Sequence, residues 1–401
     1  MSFNYLSDIW ENSNKKIKEE ENYREIFSPA KKFIGKKKYF DFSSNDYLGL
    51  RNNKEIIEAG NASALQNGAG AGSSRLVLEL DNNISLLEKY FAEKTHFNYA
   101  VFFPSGFVAN AALFDTLACF SWEEVAKNNI HLFVDHRSHA SLFYGLRNSQ
   151  LIYDFFRHND YIHLENKLKR SLAKVKIIVV ESLYSMDGDY SDPEKLQNLC
   201  KKYNAMIIID ETHTLGTYGV NKSWLQSFSY LKPFVLASVT GCGKAVGVSG
   251  GFIATDHEVL KERMIQKCKY LIYSTAVSPF ITGAVKKSLE IIFSPTGDKL
   301  VTLLENNISY FRKKLIEIAV KENEFNLSFF DLSKHSSNIF PIIYKNHSDI
   351  KKKEQFFIEN GFILKAFRPP TVPKGTSRFR VIIRSDHSKS EINKLIDCLN
   401  K

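Results

Sequence analysis

Ala205-Met206-Ile207-Ile208-Ile209-Asp210-Glu211-Thr212-His213 is a short apolar run that ends abruptly in acids, a hydroxyl and an imidazole. A compact, isoleucine-rich run of this kind suits a strand buried on both faces. Similar runs lie at Val175 to Val180, Phe234 to Val239 and Gly250 to Ala254, punctuated by Gly or Asp. Working outward, the pattern predicts strands at Tyr99 to Phe103 and His131 to Val134, with helices around Ile84 to Ala92 and from Gly106 to Cys119. Strands alternating with helices imply an α/β fold with a mostly parallel sheet covered on both faces.

The ends of the chain read differently. Residues 13 to 27 have helical character, and the basic segment Lys31 to Lys38 leads to a predicted strand at Tyr39 to Phe42. After about residue 290 the pattern becomes a long helix, scattered strands and a terminal helix near Lys389 to Leu399. The predicted organisation is an N-terminal arm over 1–45, a large domain over 46–290 and a smaller α+β domain over 291–401, consistent with a chain of 401 residues. There is no internal repeat and no low-complexity tract.

Composition narrows the function classes. With 44% hydrophobic and 24% charged residues, the chain reads as an ordinary globular protein. No run approaches the length of a membrane span, and the start lacks the order of a signal peptide, so a cytoplasmic protein without stable membrane insertion is expected. The five cysteines are scattered without CxxC spacing, which suits reduced thiols and suggests no zinc site. The net charge of +10 fits either a lysine-rich composition or an anionic partner. Aromatic-interleaved basic patches and nucleic-acid-binding motifs are absent, so no nucleic acid is expected.

In an open α/β sheet, ligands gather beyond the carboxyl ends of the strands. Asp210 stands at such an end, where a partly desolvated carboxylate needs a cationic partner or a donor; a protonated pyridine nitrogen would serve, and so would the cap of a following turn. Asp-Glu-Thr-His is also similar to a helicase acidic motif, but no GxxxxGK[ST] loop precedes it. His136 and His139 lack a third metal ligand nearby, and no metal is expected. Lys244, in Thr240-Gly241-Cys242-Gly243-Lys244-Ala245-Val246-Gly247-Val248-Ser249-Gly250-Gly251, lies among glycines and small apolar residues. Such surroundings permit close backbone approach and favour Schiff-base chemistry. Ser105-Gly106-Phe107, between a strand and a helix, offers free amides and a positive dipole for a phosphate.

These residues, in order, resemble the α-oxoamine synthases, a family of fold-type-I pyridoxal-phosphate enzymes with the aspartate-aminotransferase-like fold. The resemblance runs through Ser44-Asn45-Asp46-Tyr47-Leu48-Gly49-Leu50, Gly72-Ser73-Ser74-Arg75-Leu76, Ser105-Gly106-Phe107, His139-Ala140-Ser141, Ser185-Met186-Asp187-Gly188-Asp189, Asp210 with His213, Lys244, and Tyr273-Ser274-Thr275. It implies pyridoxal 5'-phosphate as cofactor, carried by Lys244, which also acts as the base at the amino acid's α-carbon. Asp210 would pair with the pyridinium nitrogen, His139 would lie against the ring, His213 would meet its phenolic oxygen and Ser185 would help orient it. Gly106 and Phe107 would bind the phosphate, joined by Ser274 or Thr275 from a second subunit, so a homodimer is implied. Asn45 is placed with the substrate.

The implied reaction is a decarboxylative Claisen condensation of an amino acid with an acyl-CoA or an acyl-carrier-protein thioester. A carboxylate clamp is needed, and Arg368 is the first choice, followed by Arg378 and Arg380. Arg368-Pro369-Pro370-Thr371-Val372-Pro373, followed by Gly375-Thr376-Ser377-Arg378, is most similar to members that join a pimeloyl thioester to L-alanine. Other members use glycine or serine with acetyl, succinyl or long-chain donors, and an inactive regulatory member is the alternative of another class. Retention of Lys244, Asp210, His213 and His139 points to catalysis. The chain departs from the family at Ile84, in place of a histidine, and over Gly219 to Trp224. Gly241 replaces a threonine whose hydroxyl Thr240, Ser274 or Thr275 would have to supply.

Overall fold

The computed structural model describes residues 2–19, 26, 39–79, 83–119, 129–319, 332, 335–344, 347–369 and 371–400. The basic segment Lys31 to Lys38 and Pro370 lie outside them. The described strands, in chain order, are β1 (Phe40–Asp41), β2 (Tyr99–Phe103), β3 (Ile130–Asp135), β4 (Ile152–Phe156), β5 (Val175–Glu181), β6 (Ala205–Asp210), β7 (Val235–Gly241), β8 (Gly251–Thr255), β9 (Ile339–Ile343), β10 (Phe362–Ile363), β11 (Ala366–Phe367) and β12 (Arg378–Ile382). No helix among the described residues is long and apolar enough to cross a membrane.

Two compact units divide the chain: residues 45–309 with 383–387, and residues 1–44 with 310–382 and 388–401. The first holds a seven-stranded sheet in the order β2-β8-β7-β6-β5-β3-β4. Pairing is parallel from β4 through β3, β5 and β6 to β7, whereas β8 is antiparallel to both β7 and β2. The mostly parallel sheet expected from the sequence is therefore present. Its central strands are apolar on both faces: Ile177 to Val180 and Ile207 to Ile209 are almost wholly closed to solvent. Each such side chain contributes about 1.5–3 kcal/mol of burial. β4, which the sequence pattern did not reveal, is an edge strand with exposed Ile152 and Phe155 interrupted by Asp154, so it lacks the continuous apolar signature.

Helices cover this sheet, and two of them cross at unusually close range. A Cβ on Gly283, in the helix Pro279–Ile292, would lie 2.7 Å from Ala59 O and from Ser63 Cβ in the helix Lys54–Asn67. Gly60 is covered in the same way by the Phe280 ring at 2.6 Å. Small residues at the crossing let the backbones approach, and any larger side chain would force them apart.

The second unit contains the antiparallel sheet β11-β12-β9 and the parallel pair β1-β10. Phe311 packs edge-on to Phe340 with ring centroids 4.8 Å apart, and Phe357 to Phe379 at 5.1 Å. Its terminal helix, Lys389–Leu399, begins with a reciprocal cap between Ser388 and Glu391, the pattern that marks a helix start. The N-terminal helix runs over Ser2–Glu19. It starts earlier than the expected 13 to 27, because exposed Phe3, Leu6 and Trp10 already sit at helical spacing; residues 20–25 and 27 lie outside the described set.

Candidate active site

Because β8 is reversed relative to its neighbours, β2 points the same way as β3, β5, β6 and β7. Their carboxyl ends therefore open on one edge of the sheet, carrying the Ser105, His139, Ser185, Asp210 and Lys244 segments. Asp210, the last residue of β6, is 6% exposed. Its Oδ1 accepts the Thr212 amide at 2.8 Å and its Oδ2 accepts Asn110 Nδ2 at 2.8 Å. The carboxylate thus does act as the cap of the following turn. A carboxylate has about four acceptor sites, so capacity remains for a further donor.

Asn110 also donates to Ser141 Oγ at 3.0 Å, and that hydroxyl lies 2.8 Å from His139 Nδ1. His139 in turn gives its amide to Glu181 Oε1. Glu181 and Asp210 are register partners on adjacent strands. Burial pushes the Glu181 carboxyl well above the usual range, and the Asp210 charge pushes it further, against the His139 amide that pulls it down. One continuous path therefore links Asp210, Asn110, Ser141, His139 and Glu181. Sequence reasoning missed Asn110, Ser141 and Glu181 as parts of the site. The available signal was Asn110 itself, a polar residue amid the apolar run Val108 to Leu113 of the helix Gly106–Ala118.

His213 is 6% exposed, with Nδ1 2.5 Å from the hydroxyl of fully buried Tyr47. Tyr47 belongs to the segment containing Asn45, whose carbonyl accepts the Tyr47 amide at 2.8 Å. Lys244 is half-buried on the loop after β7, and its carbonyl accepts the Gly247 amide at 3.0 Å. Gly247 has φ +72°, and a Cβ there would lie 2.8 Å from Arg51 N, so only glycine permits this packing. Glu211, also buried, accepts from Ser223 Oγ at 2.8 Å, Leu225 N at 3.0 Å and Ser238 Oγ at 3.2 Å, holding the loop after β6 from below.

Ser105 caps the helix Gly106–Ala118, its Oγ accepting the Val108 amide at 3.2 Å and its carbonyl the Ala109 amide at 2.9 Å. The amides of Gly106 and Phe107 have no partner among the described residues, as expected for a first helical turn. Gly241 lies directly against this turn: a Cβ on Gly106 would be 2.8 Å from Gly241 Cα. A Cβ on Gly241 would lie 3.1 Å from Thr212 Cγ2 and 3.3 Å from Thr212 Oγ1, so Thr212 fills the space a larger residue at 241 would need. Thr240 is buried within β7. These residues, a buried carboxylate, a half-buried lysine and two open helix amides, fit a cofactor that carries a basic ring nitrogen, a carbonyl and a phosphate.

Ser185 is buried in a loop closed by the Tyr184 amide on Asp189 O at 2.9 Å. Ser274 and Thr275 are exposed and line a small cavity with Ile84, Phe103 and Pro104, and Thr275 bridges to Ser74. In the second unit, Arg368 is half-buried, and its carbonyl accepts the Thr371 amide at 3.0 Å. Arg378 is 2% exposed and donates from Nε to Thr376 O at 3.0 Å; the Arg380 guanidinium lies 4.9 Å over the Phe367 ring.

His158, Asp187 and Asp189 form a group dense enough to hold a metal ion. Both imidazole nitrogens of His158 are taken, however, by Asp135 at 3.0 Å and Asp189 at 2.8 Å, and Asp187 is paired with Arg137. Burial pulls the His158 pKa down, but its hydrogen bonds to the two carboxylates outweigh this and hold it at about 10. The group is an ion-pair cluster.

Residues 37–399 match the family model for class I and II aminotransferases. The chain belongs to that family. It is 33% identical over 391 residues to a putative 8-amino-7-oxononanoate synthase of Aquifex aeolicus, covering 96% of each chain. It is 32% identical over 364 residues to an 8-amino-7-oxononanoate synthase of Nitrosospira multiformis, covering 90% of this chain and 86% of the relative. Among solved structures, the 8-amino-7-oxononanoate synthase of Francisella tularensis superposes with a TM-score of 0.72 at 25% identity, over 90% of this chain and 97% of the other. A serine palmitoyltransferase of S. paucimobilis with a bound PLP-myriocin aldimine gives a TM-score of 0.81 at 22% identity, over 90% and 86%, and shares the fold. The expected α-oxoamine synthase membership and fold-type-I architecture are both met.

Proposed function

We propose that this chain is an 8-amino-7-oxononanoate synthase, a pyridoxal-phosphate-dependent acyltransferase of biotin biosynthesis. It condenses L-alanine with a pimeloyl thioester of coenzyme A or acyl carrier protein, releasing CO2 and the thiol. The observation that carries this reading is the 30–33% identity, over about nine-tenths of the chain or more, to relatives of that name. Serine palmitoyltransferase neighbours favour, as second reading, the same chemistry on other substrates.

Bound pyridoxal 5'-phosphate supplies an electron sink for charge developing at the amino acid's α-carbon. Lys244 Nζ holds the cofactor and removes the α-proton. Asp210 keeps a proton on the ring nitrogen, steadied by Asn110 and the Thr212 amide. The Gly106 and Phe107 amides hold the phosphate, where the helix dipole favours an anion. His139 would lie against the ring, His213 and Ser185 would orient its phenolic oxygen, Asn45 would meet the substrate, and Arg368, or in its place Arg378 or Arg380, would receive the substrate carboxylate. The protein works in the cytoplasm as a homodimer, with Ser274 or Thr275 given to the partner's phosphate. The exposure of Leu76, Val77 and Tyr273 near the Ser74–Thr275 bridge supports that surface.

Product identification with a matrix of amino acids and thioesters tests the reading. L-alanine with pimeloyl donors should give 8-amino-7-oxononanoate; much more efficient use of glycine or serine with acetyl, succinyl or palmitoyl donors would overturn the biotin assignment and leave the chemistry standing.

A further inference from the structure

Thr212 stands between Asp210 and His213, held at two points. Its amide donates to Asp210 Oδ1 at 2.8 Å, and its Oγ1 accepts the Gly241 amide at 2.8 Å. A hydroxyl that accepts through one lone pair keeps its own proton for another acceptor, and no described residue takes it. The side chain is half-buried.

Three positions meet at this hydroxyl. A Cβ on Gly241 would lie 3.3 Å from Thr212 Oγ1, and one on Gly106 would lie 3.8 Å from it. Gly106 begins the helix whose first two amides lack partners among the described residues. The two glycines pack against each other with Oγ1 beside both, so the hydroxyl lies next to the helix N-terminus. A side chain at 241 would press directly on that hydroxyl.

We propose that Thr212 is a cofactor-binding residue whose hydroxyl, oriented by the Gly241 amide, donates its proton to the cofactor phosphate held by Gly106 and Phe107. This rests on the reading of the site as a pyridoxal-phosphate site. The hydroxyl adds a third donor to the two amides, and its geometry is set before the ligand arrives.

The test titrates full-length apoenzyme with pyridoxal 5'-phosphate and, separately, with pyridoxal, which lacks the phosphate. Thr212→Val keeps shape and removes the donor; it should weaken pyridoxal 5'-phosphate binding roughly ten- to a hundredfold while leaving pyridoxal binding unchanged. Thr212→Ser should bind like the parent protein. Gly241→Ala, which pushes a Cβ against Thr212 without adding a hydroxyl, should show the same phosphate-selective loss. The 31P resonance of the bound cofactor should shift in Thr212→Val and stay in place in Thr212→Ser. Equal binding of pyridoxal 5'-phosphate by Thr212→Val and the parent, or an equal loss of both ligands, would overturn the proposal. Failure of the parent protein to bind pyridoxal 5'-phosphate would overturn the proposed function along with it.

Discussion

The side-chain amide of Asn110 donates to the carboxylate of Asp210 at 2.8 Å, in a place where both residues are closed off from water. The donor sits on a helix and the acceptor at the end of a strand, so the bond joins the layer that covers the sheet to the edge that carries the candidate site. Asn110→Ala would leave Asp210 Oδ2 buried without its donor, at a cost of about 1–3 kcal/mol. Urea unfolding should show that loss, together with slower exchange of the substrate α-proton in cofactor-saturated protein. Unchanged stability and exchange would show that the bond matters to neither.

Lys244 should be the residue that borohydride reduction links to the cofactor, read by peptide mass. Lys244→Ala should lose turnover by several orders of magnitude while its circular dichroism and unfolding midpoint stay close to those of the parent. Normal condensation by the alanine variant would sink the assignment.

His158 gives a pH prediction whose sign is fixed by linkage. Its pKa in the folded protein, about 10, lies above the unfolded value near 6.5. The stabilisation is therefore complete below about pH 6.5 and is lost as pH rises through about 10. Unfolding free energy should fall over that interval by at least about 1 kcal/mol more in the parent than in His158→Gln. Parallel profiles for the two proteins would contradict the ion-pair cluster.

Glu181 is an acid, yet its linkage has the same sign. Burial and the neighbouring Asp210 raise its pKa, so the folded state holds the proton more tightly than the unfolded one. Stability is highest while the carboxyl is protonated and declines as pH rises above its ordinary range toward the folded pKa. Glu181→Gln keeps an acceptor for the His139 amide without the charge. Its stability relative to the parent should improve steadily from pH 4 upward, which chemical denaturation at several pH values would detect; a constant difference would argue for an ionised Glu181.

Much of the candidate site was legible in the sequence because its residues follow strands. The turn from apolar run to polar residue marked Asp210 and His213, and glycine spacing marked Lys244. Asn110 was not legible as the partner of Asp210, nor Ser141 as the partner of Asn110: these contacts span 100 residues and 31, and nothing local records such a meeting. Glu181 carried the signal of a polar strand end, but its raised pKa depends on the strand beside it. Tyr47 stood within a quoted segment, yet its bond to His213 spans 166 residues.

The sequence by itself determined the central strands, the terminal helix and the order of the family segments, because hydrophobic periodicity, caps and glycines act over a few residues. Tertiary structure alone decided which strand ends share an edge, through the reversal of β8 and the order of the sheet. It also decided why residue 241 is glycine. Thr212 already fills that space, and the exclusion of one side chain by another is a property of packing between segments, which local propensity does not encode.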